Sequence, residues 1–133
     1  VIVAGGRDFD DYPLMCSRLD HYLKEKAQTH EIIIVSGGAR GADSLAESYA
    51  RSRGYRLEVH AVSQADWQRH GKAAGPIRNA RMAAVGDFLV AFWDGRSTGT
   101  EDMIQKAVTK GIPYRVVRYI AKVDQQIKER YGL

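Results

Sequence analysis

Short runs of branched apolar residues recur along this chain, and between them the apolar residues switch to a helical period. Residues 1–4 (VIVA) and 31–36 (EIIIVS) are continuous enough to be strands buried on both faces. Residues 56–62 carry an alternating Leu57, Val59 and Ala61, and residues 88–93 and 114–117 supply two further strands. Between them, Met15, Leu19, Tyr22 and Leu23 predict one face of a helix over residues 12–28. Ala42, Leu45, Ala46, Tyr49 and Ala50 predict a second that stops at Gly54. Pro76 opens a short helix over 76–85, and Met103, Ile104, Ala107 and Val108 mark another over 99–110. A last helix uses Ile120, Val123, Ile127 and Tyr131. Strands that alternate with helices imply a mainly parallel five-stranded sheet covered on both faces, because parallel neighbours need a crossover and the crossover lays its helix on the sheet.

The chain has 133 residues, 44% of them hydrophobic and 27% charged, which suits one domain over residues 1–133. Its single cysteine, Cys16, has no internal partner, and the Cys and His residues lack metal-ligand spacing. A disulfide scaffold and a zinc site are therefore set aside, no cofactor or metal is expected, and a reducing cytoplasm is the expected compartment. No window resembles a membrane span or an export signal. The opening apolar run lacks a Met, so a few native residues are expected ahead of Val1. A net charge of +4, with 13 Arg against 7 Lys, favours anionic partners without making a nucleic-acid binder's dense patch.

Ligands of parallel sheets bind beyond the C-terminal strand edge, where the strand order reverses. Three glycine-bearing turns belong to that edge. The first holds Gly5, Gly6 and Arg7. The second runs from Ser36 through Gly37, Gly38, Ala39, Arg40 and Gly41 to Asp43. The third holds Gly95, Ser97, Thr98, Gly99 and Thr100. Glycine lets backbone amides approach a ligand closely, and each following helix offers free N–H groups and partial positive charge, so the three turns together predict a phosphate cradle. The chain has neither GxGxxG after its first strand nor a GxxxxGK[ST] loop, which argues against a dinucleotide-dependent dehydrogenase and a P-loop nucleotidase. Residues 63–75 (SQADWQRHGKAAG) are expected to be a long functional loop.

The segments Ser36-Gly-Gly-Ala-Arg-Gly-Ala-Asp43, Gly75-Pro-Ile-Arg-Asn79 with Met82, and Ser97-Thr-Gly-Thr100 resemble the SLOG superfamily, which includes DprA and the LOG nucleotide phosphoribohydrolases. GGRDF at residues 5–9, Asp66-Trp67, the stretch from Gly71 to Asn79 and Trp93-Asp-Gly resemble its YspA/YpsA-related branch. The resemblance implies a Rossmann-like three-layer fold that binds a nucleotide or nucleotide-derived ligand at its glycine turns. In the LOG motif PGGxGTxxE the catalytic glutamate is the third residue after the Thr; here that position is Met103, which has no carboxylate. The catalytic assignment stays open, with Asp102, Asp8 and Arg78 as weak candidates. Thr98 and Glu101 fit a capping box, which puts negative charge beside the third turn.

The resemblance also implies that Arg78 clamps a phosphate and that Asn79 orients it. Asp8 and Asp43 are candidate contacts for ribose hydroxyls, and Trp67 is a candidate for base stacking. The first expectation is a ligand binder or sensor, the second a nucleotide N-glycosidic hydrolase with an altered carboxylate, the third a single-stranded DNA binder. The expected partner is a nucleotide-derived small molecule, with nucleic acid a lesser alternative. A homodimer or higher homo-oligomer is expected, through the terminal helix or the Pro76 helix.

Overall fold

The computed structural model describes residues 1–132. Five strands, β1 (Ile2–Gly5), β2 (Ile33–Ser36), β3 (Arg56–Val59), β4 (Leu89–Trp93) and β5 (Tyr114–Arg118), form one sheet in the order β3-β2-β1-β4-β5. Every pairing is parallel. The fold is α/β and Rossmann-like, as the alternation of strands and helices predicts. The order reverses between β1 and β4, which pair from Ile2↔Leu89 to Gly5↔Phe92.

Side-chain alternation divides the core. Val3, Val90 and Phe92 face one layer with Leu19 and Leu23 of α1 (Tyr12–Leu23) and Ala46 and Tyr49 of α3 (Ala42–Arg53). Ile2, Ala4, Leu89 and Ala91 face the other, with Met82 of α5 (Ala74–Val85) and Met103 and Ala107 of α6 (Thr98–Lys110). Two-residue periodicity in the strands thus feeds two helical layers, and burial of these side chains supplies the main drive for collapse.

Several local expectations are corrected. The helix expected over 12–28 is α1 followed by a short α2 (Lys26–Thr29); Lys24 and Glu25 keep helical dihedrals between them. The third strand ends at Val59, three residues early. The segment expected to be a loop is largely helical. It holds α4 (Gln64–His70) and a 3-10 turn over Gly71–Ala73 that runs straight into α5 at Ala74, two residues before Pro76. The missed signal is a capping box. Ser63 Oγ accepts from the Asp66 amide and the Asp66 carboxylate accepts from the Ser63 amide, each at 3.0 Å.

The capping box expected at Thr98 and Glu101 does not form, and Ser97 is the N-cap of α6. The physical reason is Asp94, whose Oδ1 accepts from the amides of Arg96 and Ser97, both at 2.8 Å. That Asx-type turn delivers Ser97 to the cap position and leaves Thr98 and Glu101 exposed. The last helix among the described residues is α7 (Lys122–Tyr131), which has no buried residue. No helix among the described residues is long and apolar enough to cross a membrane.

A candidate anion-binding cleft at the switch point

The three turns converge on an open cleft of about 920 Å³ at the C-terminal edge of β1, β2 and β4. From the first turn it is lined by Gly5, Gly6, Arg7 and Asp8, and from the second by Gly37, Gly38, Ala39, Arg40 and Asp43. The far wall is Arg78 and Asn79 of α5 with Ser97, Thr98, Gly99, Thr100 and Asp102. Trp67, 43% exposed on α4, stands at its edge together with Lys72.

Three of the glycine-turn residues singled out in the sequence lie outside this lining. Ser36 is fully buried; its hydroxyl donates toward Glu47 Oε2 and accepts from the Gly38 amide, each at 3.1 Å, which shapes the second turn from beneath. Gly41 has φ +72°, and a Cβ there would collide with the backbone of Gly6 and Arg7. It is glycine because the first and second turns pack backbone to backbone. Gly95 sits against the Arg118 guanidinium.

Arg78 reaches from α5 across to the second turn. Its Nη1 donates to the Gly37 carbonyl, and its Nε donates to Asn79 Oδ1 at 3.0 Å. A Cβ on Gly37 would stand 2.5 Å from that Nη1 and 2.9 Å from Asp43 Oδ2, so the glycine makes room for the guanidinium. Burial holds Arg78 below the ordinary arginine value, against the opposing pull of Asp43. Asp43 is 7% exposed, and burial pushes its carboxyl above the usual value, although the Ala39 amide donates to it at 3.1 Å and Arg78 and Arg7 favour its charged form. Asp43 therefore shapes the second turn.

Asn79 is buried and joins the two walls. Its Nδ2 donates to Asp102 Oδ2 at 2.9 Å and to the Gly99 carbonyl at 3.2 Å. Lys106 Nζ lies 2.7 and 2.8 Å from the two Asp102 oxygens. Met103 is 1% exposed and supplies apolar floor. Asp8 faces the β5–α7 junction: one oxygen accepts the Tyr119 hydroxyl at 2.6 Å and the other the Lys122 amide at 3.2 Å. Of the first-turn amides of α3 and α6, that of Ala42 donates to the Gly6 carbonyl at 3.1 Å and that of Thr100 to Ser97 Oγ at 3.5 Å; those of Asp43, Ser44, Thr98 and Gly99 have no intrahelical acceptor and add donor character to the cleft, tempered by the Asp43 and Asp94 carboxylates. At Asp94 burial acts upward, but the amides of Ser97 and Arg96 outweigh it and hold the carboxyl below its usual value.

Lys72, Ser44 and Asp94 also line the cleft and were not singled out as ligand contacts from sequence. Lys72 stands in the Gly71–Asn79 stretch, and Ser44 one residue past Asp43 in the first turn of α3.

The fold and cleft define a Rossmann-like protein with a glycine-lined crevice, edged by both arginines and aspartates, where its strand order reverses. The chain belongs to the YspA, cpYpsA-related SLOG family, whose model matches residues 1–70. It is similar to the Gene 61 protein of Mycobacterium phage D29, with 37% identity over 119 residues, 85% of this chain and 91% of that protein. Among solved structures it is similar to DNA processing protein A (DprA) from Streptococcus pneumoniae, with a TM-score of 0.67 over 97% of this chain. Identity there is 16%, so the likeness is one of fold, and this chain spans 55% of that one.

Proposed function

We propose that the cleft binds a nucleotide or nucleotide-derived phosphorylated ligand and that the protein acts as its sensor or processing module. The observation that carries this reading is the Arg78 guanidinium, lodged on the Gly37 carbonyl between two glycine turns and beside the N-termini of α3 and α6. Arg7 and Arg40 flank the same opening, and Trp67 offers an exposed ring for a base. In this reading the protein is cytoplasmic and homo-oligomeric, and the free Cys16 suits a reducing compartment. Calorimetry with AMP, ADP-ribose and cyclic nucleotides, beside mass spectrometry of molecules retained through native purification, tests it. Saturable binding lost in Arg78→Ala is expected; no binding to any of them refutes it.

Asp102 favours a second reading, an N-glycosidic hydrolase. Its carboxylate lines the cleft one residue from the position of the LOG glutamate, where it could stabilise a developing oxocarbenium charge. Release of free base from AMP, abolished by Asp102→Asn, is the expected result; an inert protein that still binds nucleotide excludes it. The name of the DNA processing neighbour and the arginine excess motivate a third reading, single-stranded DNA binding. A salt-sensitive electrophoretic shift with a single-stranded oligonucleotide tests that one.

A further inference from the structure

Helix α4 stands at the edge of the cleft with little to hold it. It rests on α5 and on the 3-10 turn, yet none of its residues is buried. Its capping bonds between Ser63 and Asp66 stay within the segment, and among the described residues no hydrogen bond or ion pair runs from Gln64–His70 to the sheet or to α5. The chain is fixed on either side of it: the His60 amide donates to the Ser36 carbonyl at 2.8 Å, and Ala74 is 2% exposed. Between α4 and Ala74 lies Gly71, with φ +55° and ψ −130°, and a Cβ there would meet nothing within 4 Å. Gly71 is thus a joint in open space, in a backbone region that favours glycine. At the other end Ser63 is extended and exposed. A helix of 7 residues without a buried side chain belongs to the least stable part of a fold.

The one large apolar side chain of α4 is Trp67, 43% exposed and lining the cleft. We propose that α4 is a base-sensing lid, which turns about Ser63 and Gly71 when a nucleotide base enters the cleft and stacks Trp67 on that base. A ligand shifts such an equilibrium only through contacts it makes better in the closed state. A base supplies them, because it offers a flat ring to the indole and lets Trp67 leave water. A sugar phosphate offers no ring, so it occupies the glycine turns without closing the lid. The lid rests on the nucleotide reading of the cleft given above and adds which part of the ligand the moving element reads.

Hydrogen exchange followed by mass spectrometry tests it, with AMP, ADP-ribose, ribose 5-phosphate or no addition, beside calorimetry of each ligand. In the free protein residues 64–70 are expected to exchange faster than α3. The nucleotides should slow exchange both in residues 37–41 and in residues 64–70, whereas ribose 5-phosphate should slow only the former. Trp67→Ala is expected to weaken nucleotide binding about tenfold and to abolish the protection of residues 64–70, and Trp67→Phe to restore most of both. Nucleotide binding without protection of residues 64–70, equal protection by ribose 5-phosphate, or an α4 that already exchanges as slowly as α3 in the free protein overturns the lid and leaves the cleft reading standing. Failure of both nucleotides to bind overturns the lid together with that reading.

Discussion

The Asn79 amide nitrogen donates to the Asp102 carboxylate at 2.9 Å, while its oxygen accepts from Arg78 Nε at 3.0 Å, so one buried side chain joins α5, α6 and the arginine of the cleft. Asn79→Ala removes three partners from an enclosed site. We expect a loss of about 1–3 kcal/mol in unfolding free energy, read by urea denaturation. A nucleotide that binds the wild type should also bind this variant more weakly, because Arg78 loses the group that orients it.

Gly37 and Arg78 make a second prediction. Gly37→Ala places its Cβ 2.5 Å from the guanidinium, the far end of a flexible side chain, and Gly37 has no positive φ. The buried Asp43 carboxylate, whose Oδ2 stands 2.9 Å from the same Cβ, must give as well, so a stability loss of about 1–3 kcal/mol is expected beside the displacement of Arg78. Nucleotide affinity measured by calorimetry is expected to fall about tenfold or more, corresponding to the loss of a charge-assisted contact of about 1.5–3 kcal/mol. Arg78→Lys should fall nearly as far, since an ammonium lacks the planar fork.

Asp43 predicts a pH dependence. Its carboxyl is pushed above 3.8 on folding, so the folded chain binds more protons than the unfolded chain between the two values. Its unfavourable contribution is absent below the ordinary carboxylate value and complete above the raised one, and stability falls as pH rises through that window. Asp43→Asn, which retains an acceptor for the Ala39 amide, should flatten this slope in denaturation curves taken across the acidic range.

Tyr119 and Asp8 tie the first glycine turn to the base of α7. Tyr119→Phe keeps the ring packed edge-on against Phe9, 4.9 Å between centroids, and removes only the hydroxyl. A loss of about 1 kcal/mol is expected. Faster amide exchange should appear in both residues 6–9 and residues 119–124. Acceleration in one segment alone would mean that the turn and the helix are not mechanically joined.

Much of this was legible in the chain itself. Branched runs such as Ile33 to Val35 and the period of Ala42, Ala46, Tyr49 and Ala50 each follow from local backbone preference and one-sided burial, and the glycine turns mark the C-terminal edge wherever the strands lie. The errors fell where two local options compete. Ser63 to Gly75 reads as polar loop by composition, yet a reciprocal cap at Ser63 and Asp66 starts a helix. Ser97 and Thr98 can both cap α6, and Asp94, three residues upstream of Ser97, decides between them.

By itself the sequence determined a parallel α/β domain with three glycine turns on one edge, because periodicity and glycine content act over a few residues and need no distant partner. Tertiary structure decided the strand order, and with it the position of the crevice between β1 and β4. It also decided that Ser36 and Gly41 support the turns from outside the cleft, and that Asn79 bridges Arg78 to Asp102. The packing of Gly41 on Gly6 and the bond from Asn79 to Asp102 join segments far apart in the chain, and their closure is settled by the packing of the whole chain.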